Sequence, residues 1–158
     1  APRTAETTMA EEIIVVDPIA KIKSNTICYT AEKDKPISVN IAKHPQFISN
    51  EYIDGQGIFT FKNKITSIPE KAFFACSKLD SIIIPESVTE IGNSVFTRCH
   101  YLKMVYCQST TPPTLGENAF SNISREAKIY VPQTSVALYK SANGWKDYAS
   151  KIVGCDFK

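Results

Sequence analysis

Residues 84–99 have the sequence Ile84-Pro-Glu-Ser-Val-Thr-Glu-Ile-Gly-Asn-Ser-Val-Phe-Thr-Arg-Cys99, and the apolar positions of this stretch recur 23 residues earlier in the chain. A fixed period of this length is typical of units that cannot bury their own apolar face and must stack on their neighbours. The sequence therefore predicts a solenoid. The matching pairs are Ile65 and Val88, Ile68 and Ile91, Phe73 and Phe96, Cys76 and Cys99, Leu79 and Leu102, and Ile82 and Val105.

The repeat continues in both directions with small changes. A step of 23 back from Ile82 gives Phe59, whereas a step of 24 forward from Val105 gives Ile129. The distance that increases is the one from Val105, on a predicted strand, to Phe120, the next phenylalanine of the repeat. The extra residue is therefore expected within residues 109–115, where Pro112 and Pro113 already restrict the backbone.

Each unit combines a short strand with a single turn. Residues 81–84 and 103–107 are β-branched or aromatic runs, which favour strands. The segments around Phe73, Phe96 and Phe120 are too short for a stable helix and are interpreted as single helical or 3₁₀ turns. A strand, a turn and a compact return in about 23 residues describe a leucine-rich repeat.

The sequence motif of the repeat units closely resembles that of one known family. Residues 65–79 and 84–99 are similar to the BspA-type leucine-rich repeat, whose units carry Ile-Pro-x-Ser-Val-Thr-x-Ile-Gly-x-x-Ala-Phe-x-x-Cys. The segments at 111–114, 129–132, 136–140, 144–145, 148–149 and 152–154 resemble the C-terminal cap of these proteins, and residues 27–30 and 54–57 resemble their entry segment. The chain departs from the pattern at Pro69, Val95 and Cys107, which concern packing. The resemblance covers residues 27–158 and implies a short right-handed α/β solenoid with one parallel sheet, exposed on or secreted from a bacterial cell.

The chain is expected to form one domain with closed ends. Residues 1–12 are interpreted as a flexible tether, 13–56 as an N-terminal β cap, 57–132 as the repeat circuits and 133–158 as a C-terminal helical cap. In the N-terminal cap we expect a strand at 13–16 and a hairpin formed by residues 27–30 and 37–41. In the C-terminal cap we expect two short helices, with Thr134 or Ser135 as N-cap and Asn143-Gly144 between the helices.

Charge and hydropathy exclude several classes of partner. The net charge is +2, from 18 basic and 16 acidic residues, which gives no strong field for nucleic acid or anionic lipid. No apolar run reaches 18 residues, so no membrane insertion is expected. The start at Ala1, without an apolar signal core, is consistent with a processed form or a trimmed chain.

The five cysteines are predicted to be thiols. Cys76 and Cys99 occupy equivalent positions about 5 Å apart in stacked units, which is within disulfide range. Their side chains would nevertheless point in the same direction, towards the core, so we favour buried thiols that donate weakly to backbone carbonyls. Cys107 is expected in the core, and Cys28 and Cys155 are expected near opposite ends of the domain.

The sequence offers little for catalysis, and no cofactor or metal is expected. His44 and His100 are the only histidines, and neither belongs to a cluster with zinc-ligand spacing. The neighbouring Cys99 and His100 diverge in direction, and the repeat already explains Cys99. Gly55-Gln-Gly57 lacks the third glycine of a phosphate loop and is interpreted as a turn. Asn122-Ile-Ser124 matches a glycosylation sequon, which has little meaning in a bacterial protein.

The candidate binding residues are those that the strands point away from the core. Aromatic and methionine side chains on such a face are typical of protein-binding surfaces. The prediction is a monomeric recognition or adhesion module for an extracellular host or microbial protein, or for a glycan. The alternatives are that cap elements cover this face, that the residues only satisfy strand propensity, or that the domain is a structural spacer without a ligand. The two predicted columns are Ile58, Ser81, Met104 and Lys128, and Thr60, Ile83, Tyr106 and Tyr130.

Overall fold

The computed structural model describes residues 19–158. The strand predicted at residues 13–16 and the tether predicted at 1–12 lie outside the described residues. Within residues 19–158 there are ten strands, one α-helix (α1, Val136–Ser141) and four 3₁₀ helices, at Glu32–Asp34, Asn40–Lys43, Gln133–Ser135 and Trp145–Lys151. The strands are β1 Thr26–Ala31, β2 Phe47–Ile53, β3 Gln56–Phe61, β4 Ser67–Ile68, β5 Leu79–Ile84, β6 Glu90–Ile91, β7 Met104–Cys107, β8 Thr114–Leu115, β9 Lys128–Pro132 and β10 Ile152–Cys155.

The strands form one large and one small sheet. The large sheet has seven strands in the order β10-β9-β7-β5-β1-β3-β2, and the small sheet has three in the order β4-β6-β8. All pairs in the small sheet are parallel, as are β5-β7, β7-β9 and β9-β10 in the large one. The remaining pairs of the large sheet are antiparallel. The large sheet is therefore mixed, and the prediction of one parallel sheet is wrong for its N-terminal half.

The registers reproduce the repeat seen in the sequence. Ser81 lies opposite Met104 and Ser67 lies opposite Glu90, both 23 positions apart. In the next unit Met104 lies opposite Lys128 and Glu90 opposite Thr114, both 24 positions apart. Since Ile84 and Cys107, which are paired, are still 23 positions apart, the extra residue lies between β7 and β8. This confirms the predicted insertion beside the two prolines.

The core lies between the two sheets. Period-two alternation points one face of each long strand inward, and the predicted inward residues have 0% of their surface exposed. A ladder of phenylalanines runs through the middle: the ring centroids of Phe73 and Phe96 are 5.3 Å apart, and those of Phe96 and Phe120 are 5.4 Å apart. Both pairs are stacked, so equivalent residues of successive units contact one another directly. The inward strand residues are Phe59, Phe61, Ile82, Ile84, Val105, Cys107, Ile129 and Val131.

The N-terminal part of the domain differs from the prediction. β1 does not form a hairpin with residues 37–41; it lies between β3 and β5 and is antiparallel to both. Residues 40–43 form a 3₁₀ helix, in which the Ile41 N–H donates to the Ala72 carbonyl oxygen at 3.0 Å. Both Ile37 and Ile41 are buried as expected of apolar residues, but they pack against the core without forming a strand. The polar loop that separates them from β1 could be predicted, whereas the partners of β1 depend on contacts distant in sequence.

The C-terminal part contains the two predicted short helices and an additional strand. α1 and the 3₁₀ helix Trp145–Lys151 are separated by Gly144, which has a φ of 81°. Ser135 occupies the N-cap position of α1, but its hydroxyl donates to the Thr110 carbonyl oxygen at 2.7 Å and accepts no hydrogen bond from the helix N–H groups. The chain then forms β10, which pairs in parallel with β9. The apolar run that ends in Cys155 was predicted as part of a helical cap, so that part of the prediction is wrong.

Candidate binding surface

The face of the large sheet that points away from the core carries one continuous row of mostly apolar side chains. We call this the outer row; it crosses six strands in register and spans about 24 Å at the usual spacing of strands. Neighbouring members lie directly opposite each other in the strand pairings. The members of the outer row are Ile58, Cys28, Ile83, Tyr106, Tyr130 and Val153.

Two tyrosines form the centre of the outer row. The ring centroids of Tyr106 and Tyr130 are 4.8 Å apart with an interplanar angle of 15°, so the rings stack. Tyr106 is 8% exposed and its hydroxyl donates to the Met104 sulfur at 3.3 Å, whereas Tyr130 is half-buried. Burial raises the pKa of both phenols, with a smaller contribution from Cys155. Both phenols are therefore neutral at physiological pH.

A second row runs beside the outer row and is more polar. It consists of Thr30, Ser81, Met104 and Lys128, which lie opposite one another in the register. The Thr30 and Ser81 hydroxyls are 2.6 Å apart and satisfy each other, and Ser81 is only 6% exposed. Met104 is half-buried and Lys128 is exposed. A partner on this face would meet apolar surface along one line and hydrogen-bonding groups beside it.

The structure corrects three points of the predicted surface. Thr60 is not beside Ile83, because β1 separates β3 from β5 and Thr60 lies opposite Thr26. Because β1 is antiparallel to both β3 and β5, Cys28 lies opposite Ile58 on one side and opposite Ile83 on the other. Ile58, and not Thr60, is therefore in the same row as Ile83. Tyr106 and Ser81 were predicted to be exposed but are buried. Met104, Lys128, Tyr130 and Ile83 do lie on the expected face, in the expected register.

Two members of the outer row were missed in the sequence. Cys28 was assigned to an end of the domain, because no local pattern shows that β1 inserts into the middle of the sheet. Val153 could have been found, because a step of 23 from Tyr130 gives Val153 and the same step from Ile129 gives Ile152. These are the pairs that the β9-β10 register shows. The signal was hidden because residue 143, 23 positions after Phe120, is not apolar.

The cysteines are five free thiols. Cys28, Cys99, Cys107 and Cys155 are buried, and Cys76 is half-buried. The Cys99 thiol donates to the Phe73 carbonyl oxygen at 3.0 Å, which is the weak hydrogen bond expected of a core cysteine. Burial raises the pKa of Cys99 to about 12 and that of Cys107 to about 11. A thiol with such a pKa is not a nucleophile at neutral pH.

These thiols make the fold sensitive to alkali. The ordinary thiol pKa is 9.0, so between about pH 9 and 11 the unfolded chain loses protons that Cys99 and Cys107 keep in the folded state. Since the unfolded state then binds fewer protons, the free energy of unfolding falls with rising pH, by up to about 1.4 kcal/mol per pH unit for each thiol. The contribution of Cys99 and Cys107 to the free energy of unfolding is fully present below pH 9. Urea unfolding at pH 8, 9 and 10 measures the slope.

The matched control for this slope is the double variant Cys99→Ala/Cys107→Ala. Removing the core thiols lowers stability at every pH, but it also removes their share of the dependence between pH 9 and 10; the buried tyrosines contribute the same remaining slope in both proteins. An unchanged slope in the double variant would contradict the assignment to these two residues.

Across residues 19–158, no three side chains of His, Cys, Asp or Glu come together as a metal site. In the same residues, no helix has both the length and the apolar character needed to cross a bilayer.

Comparison with known families agrees with the repeated geometry. The family described as "BspA type Leucine rich repeat region (6 copies)" matches residues 52–143, which are 92 of the 158 residues. The chain belongs to the BspA-type leucine-rich repeat family. No curated protein matches the chain. BspA-type repeats form a repeat fold that generally serves protein interaction without catalysis, and proteins that contain them are generally secreted or surface proteins of bacteria.

Proposed function

We propose that this BspA-type chain is a recognition or adhesion module outside the cell, which binds an extracellular protein through the outer and second rows. Family membership supports protein interaction, and the position and chemistry of the two rows support this face as the contact. The mechanism is non-covalent: the rigid sheet presents apolar and aromatic surface that a partner buries, and the adjacent hydroxyls and Lys128 orient the partner by hydrogen bonds.

The observation that carries the proposal is the alignment of Ile83, Tyr106, Tyr130 and Val153 on neighbouring strands of the face opposite the core. Large apolar side chains on a solvent-facing sheet offer contact area, and aromatic ones such as tyrosine lose little conformational entropy on binding. Tyr106 is buried by its surroundings, so the accessible contacts are Tyr130, Met104 and Ile83, and Tyr106 holds the Tyr130 ring in place.

We also propose the arrangement of the chain that presents this face. The stacked circuits form a short solenoid, residues 26–61 close its N-terminal end through β1, β2 and β3, and residues 133–158 close its C-terminal end. The pairing of β1 with β5 and of β10 with β9 supports this, because each covers a strand that would otherwise be an edge. The chain acts as a monomer in this proposal.

The expected result for the double variant Tyr130→Ser/Met104→Ser is a loss of binding of at least tenfold. Both side chains are half-buried, so we expect the fold to remain, and loss of two central interface residues typically costs more than 1 kcal/mol each. The measurement is binding of the wild type to a panel of immobilised extracellular matrix proteins and glycans, followed by titration of each positive target with the variant.

The matched control is Leu138→Ser, because Leu138 is 56% exposed on α1 and does not lie on the outer face. It should bind as the wild type does. If the double variant binds every target as tightly as wild type while remaining folded by circular dichroism, the outer face is not the contact. A wild type that binds nothing in the panel would support a structural spacer instead.

A further inference from the structure

β2 is the last strand at one end of the large sheet. It pairs with β3 on one side, and among residues 19–158 no strand pairs with its other side. An edge strand of this kind presents backbone N–H and C=O groups that can pair with another extended chain. Hydrogen bonds along this edge point within the plane of the sheet, and the side chain of Glu51 lies opposite Ile58, at the end of the outer row.

The edge lacks most of the features that normally protect one. Natural edge strands carry lysine or proline, or are interrupted by bulges. β2 contains neither lysine nor proline, and Glu51 is its only charged residue. Its pairing with β3 is irregular between Phe47 and Ser49 but regular from Ser49 to Ile53. A regular edge of five residues therefore remains.

Exposed apolar side chains lie at the end of this regular edge, at Ile53, and in the irregular step just before it, at Ile48. Ile48 is 57% exposed and Ile53 is 51% exposed. Only five large apolar side chains in the described residues are exposed to a comparable degree, and β2 carries two of them. Their place on one unpaired strand is the arrangement that an added strand would cover.

β2 is held rigidly from its inner side. The Asn50 amide donates to the Ile37 carbonyl oxygen at 2.7 Å and accepts from the Tyr29 hydroxyl at 2.5 Å. The Tyr52 hydroxyl donates to the Asp34 carboxylate at 3.1 Å and accepts from the Ala31 N–H at 3.3 Å. Because these hydrogen bonds already restrain β2, pairing would order mainly the partner segment.

We propose that β2 is a docking edge that accepts an extended segment of a partner protein as an eighth, antiparallel strand. The segment would carry an apolar side chain against Ile53 and a lysine or arginine opposite Glu51. A second copy of this chain fits less well, because two-fold pairing of β2 with itself brings two Glu51 carboxylates to the same face without a cation on either strand.

The test uses the full chain and a defined probe. The probe is a capped nine-residue peptide of alternating threonine and valine with one central lysine, and the readout is NMR chemical shifts with amide hydrogen exchange. We expect saturating peptide to slow exchange of alternate amides of β2 at least tenfold. N-methylation of the peptide backbone on one set of alternate residues should abolish this effect, whereas methylation of the other set should not.

Variants of β2 provide a second test of the proposed docking edge. Ile48→Lys/Ile53→Lys places two cations on exposed positions, where we expect the fold to tolerate them, and should weaken binding of the peptide at least tenfold. Leu138→Lys, at a position 56% exposed on α1, should bind as the wild type does. Equal binding by both variants, or shifts that map to the outer row from Ile83 to Val153 and not to β2, would refute a docking edge at β2. Sedimentation that showed a dimer lost in the lysine variant would replace the partner segment with a second copy.

The proposed binding at the β2 edge and the proposed binding at the outer face can be tested separately. Tyr130→Ser/Met104→Ser should leave the peptide affinity unchanged, because neither residue lies on β2. Loss of target binding with retained peptide binding would support the outer face as contact and leave the edge intact. Loss of peptide binding in that variant would contradict a separate site on β2.

Discussion

Trp145→Ala is expected to lower the free energy of unfolding by about 4 kcal/mol, the range seen for truncation of a large buried aromatic residue. Trp145 is fully buried, with ring centroids 4.9 Å from Tyr139 and 5.7 Å from Phe120. Its indole N–H donates to the Pro113 carbonyl oxygen at 2.7 Å. Alanine removes the ring contacts and also leaves that buried carbonyl without its donor.

Trp145→Phe separates the two losses. Phenylalanine keeps most of the apolar volume but has no N–H, so we expect a loss of about 1–2 kcal/mol. Urea unfolding followed by circular dichroism is the suitable measurement, because Trp145 is the only tryptophan and its fluorescence disappears in both variants. If Trp145→Ala cost less than 1 kcal/mol, the 3₁₀ helix that contains it would not be packed on the repeats.

Phe96→Ala is expected to cost about 3–5 kcal/mol. Phe96 is 0% exposed and stacks between Phe73 and Phe120. Truncation opens a cavity between two units that contact each other through this ring, and the surrounding strands cannot close it without breaking their register. We expect the denaturation midpoint to fall with an unchanged slope, which would indicate a single cooperative unit.

The matched control for Phe96 is Phe74→Ala. Phe74 follows the core residue Phe73 but is 36% exposed, and its ring lies 5.6 Å from the Lys71 ammonium group. The same chemical truncation should cost less than about 1 kcal/mol there. Similar losses at Phe74 and Phe96 would show that the phenylalanine ladder is not a special source of stability.

The sequence was sufficient to predict the parts of the fold that repeat. Ser81, Met104 and Lys128 were assigned to one row and Ile83, Tyr106 and Tyr130 to another, as the registers show. The reason is physical: a parallel strand in a stacked unit faces the same residue of the next unit, so the period fixes both partner and side. The inserted residue near Pro112 was found by the same argument.

The parts that do not repeat were not predictable from local patterns. β1 has the composition of a strand, but its antiparallel neighbours begin about 30 and 50 residues later in the sequence, and nothing near Thr26 identifies them. Thr60 was wrongly predicted to lie beside Ile83 because the insertion of β1 between β3 and β5 was not predicted. The burial of Tyr106 could not be predicted either, because alternation along a strand gives the face of a side chain but not what surrounds it.

The position of β1 limits how this array can change in length. A parallel strand cannot be added on the N-terminal side of β5, because antiparallel β1 already occupies that edge. On the other side β10, which follows the two short helices, pairs with β9. The strand of a new repeat unit can therefore lie only between β1 and β10 in the sheet, and each unit would add about 23 residues. A lineage or a designer that lengthened the chain there would widen the outer row by about 4.8 Å per circuit and leave both ends unchanged.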